Sequence, residues 1–231
     1  MTRREFGALS ILLPAIPSPA ATPHNQLTEA ERREGWQLLF DGHSTDGWLE
    51  ITGKPFPANC WNVDQGCLHT IVRTDGMQDI RTTETYKSFD LRFEWMTRKD
   101  GNSGVKYLVQ KVDEWVNKEG RQARARGLEY QISDDAGPDA STDPKRTAAS
   151  LYSVIAPAPH KTPAIGEFHS SRIVLNGRHG EHWLDGVKVV SFETTDAAVV
   201  NQLKGDQTES PISLQNHSTE VWFRNLKIRR L

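Results

Sequence analysis

The segment Gly127-Leu128-Glu129-Tyr130-Gln131-Ile132-Ser133-Asp134 alternates between apolar and polar side chains. A period of two is typical of a β-strand, because successive side chains point to opposite faces of a sheet. One face of this predicted strand is apolar, and the other carries Glu129 and Gln131. A carboxylate inside a strand is costly to bury unless it is paired or faces water. Glu129 therefore lies either on an ordinary solvated face or in a polar cleft.

Segments on both sides repeat this alternation in short runs bounded by turn residues. Residues 89–95 place aromatic and leucine side chains on one face and charged side chains on the other. Asp64-Gln65-Gly66 and Asn176-Gly177 are typical hairpin turns. Many short strands, frequent glycine turns and little helical periodicity predict an all-β fold, a two-sheet antiparallel sandwich of jelly-roll type.

Other segments lack clear strand patterning. Thr28-Glu29-Ala30-Glu31 matches a capping box and predicts a short helix before the first strand. Residues 111–126 and 134–146 are polar, and we expect them to form long loops. Residues 148–155 are a weakly predicted strand because of their alanines, and residues 194–209 are a predicted loop.

Length and charge narrow the class of protein. The chain has 231 residues, a formal net charge of −2 and a pI near 6.5. A single β-sandwich can use this length, and we assign residues 35–231 to one domain. The absence of a basic excess argues against nucleic acid as a partner. The sequence does not indicate an oligomeric state.

The N-terminus has the pattern of an export signal. Arg3-Arg4 precedes a short apolar run at residues 6–13, and small residues follow at 18–21. Residues 1–21 therefore resemble a twin-arginine signal peptide, and residues 22–34 form an N-terminal segment of the mature chain. The apolar run is too short to span a bilayer. We expect a periplasmic or secreted protein, the alternative being an uncleaved apolar N-terminus.

Cysteine usage fits an oxidising compartment without requiring a disulfide. The predicted hairpin turn at residues 64–66 places Cys60 beyond the partner of Cys67, so a bridge between them is not expected. Two cysteines without a nearby histidine do not form a local zinc site.

Several segments together resemble the 3-keto-disaccharide hydrolase family. The segments that carry this resemblance are residues 36–42 with Gly47-Trp48, Gly101-Asn102-Ser103-Gly104-Val105, Gly127-Leu128-Glu129-Tyr130-Gln131, Arg146-Thr147 with Leu151-Tyr152, residues 181–186, Gln215-Asn216-His217 and residues 221–228. The resemblance implies a concanavalin A-like jelly roll of the lectin and glucanase type. It also implies an exported enzyme that cleaves glycosides already oxidised to a ketone at sugar C3. Lys106 stands where this family commonly has an apolar or aromatic residue.

A ketone at C3 acidifies the hydrogen on C2, so the implied reaction begins with a base. An enolate forms, the C1 oxygen leaves, and water adds to the resulting enone. Such a site needs a base near C2, a donor or cation at the C3 oxygen and an acid at the leaving oxygen.

Four residues are the predicted catalytic groups. We expect Glu129 and His182 to transfer protons, with either one as the base. Arg146 is the predicted cation for the ketone or enolate oxygen, with a loop salt bridge as the alternative. Glu94 is a further candidate base, metal ligand or hydroxyl acceptor, unless it lies on a solvated face.

Six residues are the predicted substrate-binding groups, which the structure must bring to one cleft: Lys106, Gln131, Gln215, His217, Asn102 and Trp115. No cofactor is required by this chemistry, although a divalent metal could polarise the C3 oxygen. Residues of suitable ligand type are Glu94, Glu129, Asp134, His182 and His217, but no tight metal-binding spacing occurs, so metal dependence stays open.

Two other functions fit the same predicted fold. A retaining glycosidase would need two carboxylates about 5 Å apart, and the strand of Glu129 lacks a second acid at the spacing of glucanases of this fold. A non-catalytic, lectin-like sugar-binding module would need aromatic and hydrogen-bonding groups but no acid–base pair.

Overall fold

The computed structural model describes residues 24–72, 76–118 and 120–231. The predicted signal peptide, residues 1–21, lies outside these residues. No helix in the described ranges has the length and apolar character needed to cross a membrane.

Two β-sheets packed face to face form the fold, as the alternating sequence predicted. The strands are β1 (Gln37–Leu38), β2 (Trp48–Glu50), β3 (Trp61–Asp64), β4 (Cys67–Thr70), β5 (Gly76–Gln78), β6 (Ile80–Thr82), β7 (Phe89–Thr97), β8 (Asn102–Asn117), β9 (Gly120–Ser133), β10 (His169–Asn176), β11 (His179–Leu184), β12 (Val187–Glu193), β13 (Ser213–Leu214) and β14 (Val221–Arg230). The all-β, jelly-roll prediction is confirmed.

The first sheet has the strand order β12-β11-β10-β7-β14-β4-β3, with β1 paired to β14. The second sheet has the order β2-β6-β13-β8-β9-β5. Neighbouring strands are antiparallel, except that β5 runs parallel to β9. Only Asp79 separates β5 from β6, so this one residue connects two strands at different places in the second sheet.

The core lies between the inner faces of the sheets. Leu128, Tyr130 and Ile132 of β9 are fully buried there, as their alternation predicted. The ring of Tyr130 contacts Phe93 of β7 edge to face, with centroids 5.4 Å apart. Edge-to-face contact is a favoured aromatic arrangement, and it joins the two sheets at their centre.

The expected loop at residues 111–126 is instead a long hairpin. β8 and β9 stay paired from Lys111 opposite Arg126 to Asn117 opposite Gly120. A bulge between Tyr107 and Lys111 separates this outer part, which we call the arm, from the sheet. The sequence resembled a loop because most of the arm is not covered by a second sheet, so its strands lack the apolar face that marks a buried strand.

Smaller differences occur in the connections. Helix α1 (Glu29–Arg33) begins with the predicted capping box, in which Thr28 and Glu31 bond reciprocally. Residues 148–155 make only isolated bridges through Leu151, so the weakly predicted strand there is wrong. The expected loop at 194–209 contains helix α2 (Ala197–Leu203). Residues 134–146 are irregular apart from two short 3-10 turns.

The two cysteines are buried and are not joined by a disulfide. Cys67 lies at the start of β4, opposite Asp64, whereas Cys60 precedes β3. The hairpin register therefore does not place Cys60 opposite Cys67, as the predicted turn indicated.

Candidate active site

A cavity of about 520 Å³ opens on the outer face of the second sheet. Its sheet walls come from β8 and β9, and the arm and residues 202–207 complete it. Of the predicted site residues, the cavity brings together Glu129, Lys106, Gln131, Gln215, His217 and Asn102. We call this cavity the sheet cleft. It is polar because these side chains alternate with the core-facing residues of their strands.

Glu129 and Lys106 lie directly opposite each other on β9 and β8. The ammonium of Lys106 is 3.8 Å from Oε2 of Glu129, and the two side chains are 3% and 12% exposed. A cross-strand pair of opposite charge is favourable, and more so away from water. Lys106 therefore acts on the Glu129 carboxylate as a fixed positive neighbour.

Asp79 holds Lys106 from the other side. Its Oδ2 lies 3.3 Å from the Lys106 ammonium and accepts a bond from the backbone N–H of Ala125 at 3.2 Å. Its Oδ1 accepts from the backbone N–H of Asn216 at 3.1 Å. A buried carboxylate needs such donors to offset its desolvation. Asp79 was not predicted from the sequence, because a lone acid between two very short strands carries no periodic signal.

Burial raises the pKa of Glu129, since the charged form loses hydration in the sheet cleft. The nearby Lys106 ammonium opposes this rise in pKa, and the Asp79 carboxylate adds to it. A carboxylate with a raised pKa is a stronger base than an exposed glutamate, which suits it to remove a proton from carbon.

Two carboxamides in the sheet cleft have unused acceptors. Gln131 donates its Nε2 to Oδ1 of Asn102 at 3.2 Å. The Oε1 atoms of Gln131 and Gln215 are buried and, among the described residues, have no hydrogen-bond donor. A buried acceptor without a partner costs about 1–3 kcal/mol. Both oxygens are therefore available to a ligand that brings donors, as the hydroxyl groups of a sugar do.

His217 and Tyr152 add two proton-carrying groups to the wall of the sheet cleft. Burial lowers the pKa of His217, and the nearby Arg124 guanidinium lowers it further. The imidazole is therefore neutral at pH 7 and carries one N–H. Tyr152 and Arg124 were not predicted from the sequence, although Tyr152 belongs to a segment that carries the family resemblance.

His182 lies in the core and not in the sheet cleft, so the expected meeting of Glu129 and His182 is wrong. Its Nε2 is 2.7 Å from the Tyr107 hydroxyl, and its Nδ1 is 3.0 Å from the Ala149 carbonyl oxygen. Its ring packs on Tyr130, which points to the face of β9 opposite Glu129. Burial lowers the pKa of His182 to about 4. The sheet itself therefore separates the two groups.

Two further predicted catalytic residues lie elsewhere. Arg146 is 3.7 Å from Asp139 and 3.8 Å from Asp143, the loop salt bridges that were its alternative. Glu94 lies on the first sheet, where Arg224 and Asn225 each donate to it at 2.7 Å. It lines a separate cavity of about 370 Å³. Neither residue lines the sheet cleft, because each belongs to a different element from those that form it.

Trp115 lies on the arm and is 37% exposed. It shares a face with Lys111 and Asp113, which line the sheet cleft, but it lies beyond them and does not line the cleft itself. No group of three or more metal-ligating side chains comes together within the described ranges. The possible metal ligands named from the sequence are spread over the structure: Glu129 and His217 share the sheet cleft, whereas His182 lies in the core, Glu94 on the first sheet and Asp134 in the loop after β9.

Two packed β-sheets with a polar, hydrogen-bonding cleft on one outer face are an arrangement suited to a carbohydrate-active protein. The chain belongs to the family described as the 3-keto-alpha-glucoside-1,2-lyase-like domain, whose model matches residues 35–229. It is 29% identical to a 3-keto-disaccharide hydrolase of Bacteroides thetaiotaomicron, over 86% of this chain and 79% of the relative. The resemblance seen in the sequence is confirmed, and it points to a hydrolase-like function on carbohydrates.

Solved structures agree with this fold. A candidate glycosyl hydrolase from Parabacteroides distasonis matches with a TM-score of 0.76 and 26% identity, over 90% of this chain and all (100%) of that one. A second candidate glycosyl hydrolase from that organism matches with a TM-score of 0.63 and 23% identity, over 80% and 99%. A Bacillus subtilis protein with a galectin-like fold, at 9% identity and a TM-score of 0.51, shares the fold alone, over 90% and 94%.

Proposed function

We propose that the protein cleaves the glycosidic bond of 3-keto-glycosides, including 3-keto-disaccharides, by elimination and hydration. The observation that carries this proposal is Glu129, a buried carboxylate of raised pKa that faces a polar cleft. A group of this kind suits removal of a carbon-bound proton, which a sugar-binding module would not need. The name of the Bacteroides relative supports the same substrate class.

The proposed reaction uses the sheet cleft in order. Glu129 takes the proton from C2, and the electron pair of the broken C2–H bond forms the enolate of the C3 ketone. The enolate then expels the C1 oxygen, which takes a proton from the neutral imidazole of His217. Water adds to the resulting enone at C1 and returns one proton to His217, and Glu129 gives its proton back to C2, which yields the 3-keto sugar and the free leaving group. Gln131 and Gln215 accept hydrogen bonds from the sugar hydroxyls.

Lys106 has a positioning role in this scheme. Its ammonium is directed to Asp79, to the Ala125 carbonyl oxygen and to Glu129, so its N–H groups are already engaged. The fixed positive charge favours the ionised form of Glu129 and so opposes the effect of burial on its pKa.

Asp79 does not supply the second carboxylate that a rival glycosidase mechanism needs. A retaining or inverting glycosidase needs two carboxyl groups that both reach the substrate. Asp79, the acid on the far side of Lys106, is 1% exposed, and both its oxygens accept protein hydrogen bonds. It is therefore a poor nucleophile or acid for a bound sugar.

Incubation with 3-keto-trehalose, 3-keto-lactose and the corresponding unoxidised sugars tests the proposal. We expect release of 3-keto-glucose from 3-keto-trehalose and of 3-keto-galactose from 3-keto-lactose, no product from the unoxidised sugars, and loss of this release in Glu129→Gln with the fold retained. Turnover of the unoxidised sugars alone would favour an ordinary glycosidase. Binding without turnover would favour a lectin-like module. Either of these outcomes, or a normal rate in Glu129→Gln, contradicts the proposed mechanism.

Export belongs to the same proposal. The twin-arginine-like pattern at residues 1–21 is the support for a periplasmic or secreted enzyme. Fractionation of cells that produce the full chain tests it, and retention of the full-length chain in the cytoplasm would contradict it.

A further inference from the structure

The elimination needs a cation at the C3 oxygen, where negative charge develops. The sequence assigned this role to Arg146, which the structure places in a loop salt bridge outside the sheet cleft. Fixed positive groups directed at a developing oxyanion supply a large part of the catalysis in such reactions. A cation of the sheet cleft can fill this role only if it has N–H donors that are not already bonded to the protein.

Most of these cations already have partners. Lys106 is engaged with Asp79, a carbonyl oxygen and Glu129, as described above. Lys111 lies 3.0 Å from Oδ1 of Asp113, and Arg126 lies 2.7 Å from Oδ2 of the same carboxylate. Lys204 is on the exposed loop at the rim, where water competes for its charge.

Arg124 is different from these residues. It is half-buried, lines the sheet cleft and has no carboxylate within salt-bridge distance among the described residues. Its one hydrogen bond in the described chain is a long one, 3.4 Å, to the carbonyl oxygen of Asn216. A guanidinium has five N–H donors, so most of those of Arg124 are unused.

The position of Arg124 fits the reacting end of the sheet cleft. Its charge lowers the pKa of both Glu129 and His217, the proposed base and the proposed acid. A cation close to both groups is close to the atoms between them, which in the proposed reaction are C2, C3 and C1 of the sugar.

We propose that Arg124 is a catalytic residue that donates hydrogen bonds to the C3 oxygen as the ketone becomes an enolate. This inference rests on the proposed function. The proton leaves C2 for Glu129, the C2–H electron pair becomes the C2–C3 double bond, and the carbonyl pair moves to the oxygen facing Arg124. When the leaving group departs, the oxygen pair re-forms the C3 carbonyl, the C2–C3 pair becomes the C1–C2 double bond, and the C1–O pair leaves with the departing oxygen, which takes a proton from His217. No oxidant or reductant takes part.

Arg33 provides a control outside the sheet cleft. It lies on helix α1, is exposed and is paired to Glu29. We would compare Arg124→Gln, Arg124→Lys and Arg33→Gln with the full-length protein, using 3-keto-trehalose. The readouts are kcat and KM, and exchange of the C2 hydrogen in deuterated water followed by NMR. Thermal melting checks that each variant is folded.

We expect Arg124→Gln to lower kcat by about 10²–10³-fold, the loss typical of one oxyanion donor, and to slow C2 exchange in parallel. KM should change much less. Arg124→Lys keeps the positive charge but loses the planar, bidentate guanidinium, so its kcat should lie between those of wild type and Arg124→Gln. Added guanidinium should partly restore the kcat of Arg124→Gln. Arg33→Gln should keep kcat within about threefold of wild type, since Arg33 lies outside the sheet cleft and its surface ion pair contributes little to stability.

Three outcomes would overturn the inference. The first is that the wild type is active and that kcat in both Arg124 variants stays within about threefold of the wild-type kcat. Another is a change in KM alone, which would make Arg124 a binding group without a special role in the transition state. The third is a wild type that neither exchanges the C2 hydrogen nor cleaves any 3-keto sugar. Only this third outcome also overturns the proposed function, so the two failures can be told apart.

Discussion

The carboxylate of Glu129 lies directly over Gly104 of the neighbouring strand. A Cβ atom built on Gly104 would come within 2.2 Å of Oε1 of Glu129, closer than any real contact. Gly104 is paired with Gln131, two residues from Glu129 on β9. The glycine therefore leaves the space that the proposed base occupies, and the position of that base depends on a residue without a side chain.

Gly104→Ala should displace the Glu129 carboxylate and lower kcat by at least about tenfold, because small misplacement of a reacting group is costly. The control is Gly180→Ala, whose new Cβ would lie 2.2 Å from the Phe192 ring in the core. That variant should lose stability but keep its kcat per folded molecule. Steady-state kinetics and thermal melting separate the two effects. Equal kcat values in Gly104→Ala and wild type would contradict the role assigned to Gly104.

Asp79→Asn should destabilise the fold. The amide would present N–H donors to the Lys106 ammonium or to the backbone N–H groups that now donate to the carboxylate. Removing one partner of a buried ion pair typically costs about 3–5 kcal/mol. Urea denaturation measures the free energy of unfolding. The double variant Asp79→Asn/Lys106→Met should be more stable than Asp79→Asn, since it no longer holds a buried ammonium beside an amide in place of the Asp79 carboxylate, and the reverse order would exclude this explanation.

The raised pKa of Glu129 predicts where activity is lost in acid. The base works only when it is ionised, so kcat/KM should fall as the pH drops through this pKa. Because the pKa is raised above 4.5, the fall should begin at a higher pH than for an exposed glutamate. Lys106→Met removes the charge that opposes the rise, and should move the acid limb to still higher pH. Lys188→Met, which removes a partner of Glu181, should leave the limb in place.

His182 predicts a separate pH effect, on stability. Burial lowers its pKa from 6.5 to about 4, so between these values the unfolded chain binds a proton that the folded chain does not. Stability should therefore fall as the pH drops from 6.5 towards 4, by up to about 3 kcal/mol from this group. Urea titrations across this range test it. His182→Gln should lose this part of the pH dependence, and an unchanged slope in that variant would refute the assignment.

Strand alternation carried most of the successful predictions. It placed Leu128, Tyr130 and Ile132 in the core, and it left Glu129 and Gln131 on the face that forms the sheet cleft. Cross-strand register could not be read from the sequence, so the opposition of Lys106 and Glu129 was not foreseen. Asp79 lies behind Lys106 at the junction of β5 and β6, and Arg124 reaches the sheet cleft from the arm, and both placements depend on tertiary structure.

His182 was misassigned although its strand carried a usable signal. On β11 it alternates with Gly180 and Leu184, which are buried, whereas Glu181 and Trp183 form the more exposed face. A residue that shares its face with apolar neighbours belongs to the core more often than to a site. Its hydrogen bonds to Tyr107 and Ala149 satisfy the imidazole there, so its polarity was not evidence for a cleft.

Trp115 stays a predicted substrate contact, and its place on the arm makes the prediction more specific. It lies two residues beyond Asp113 on the same face, roughly 7 Å further along the strand. That distance is comparable to one sugar ring, so Trp115 can contact the leaving group and not the keto sugar. Trp115→Ala should raise KM about fivefold for 3-keto-lactose, from the loss of about 1 kcal/mol of aromatic contact.

The same variant should leave KM unchanged for methyl 3-keto-glucoside, whose leaving group has no ring to contact the indole. Val116→Ala is the matched control, because Val116 is 79% exposed and the neighbouring position on the arm points to the opposite face. It should change neither KM. An equal rise in KM for both substrates in Trp115→Ala would mean that the arm as a whole has shifted, and no change for either would remove Trp115 from the substrate-binding residues.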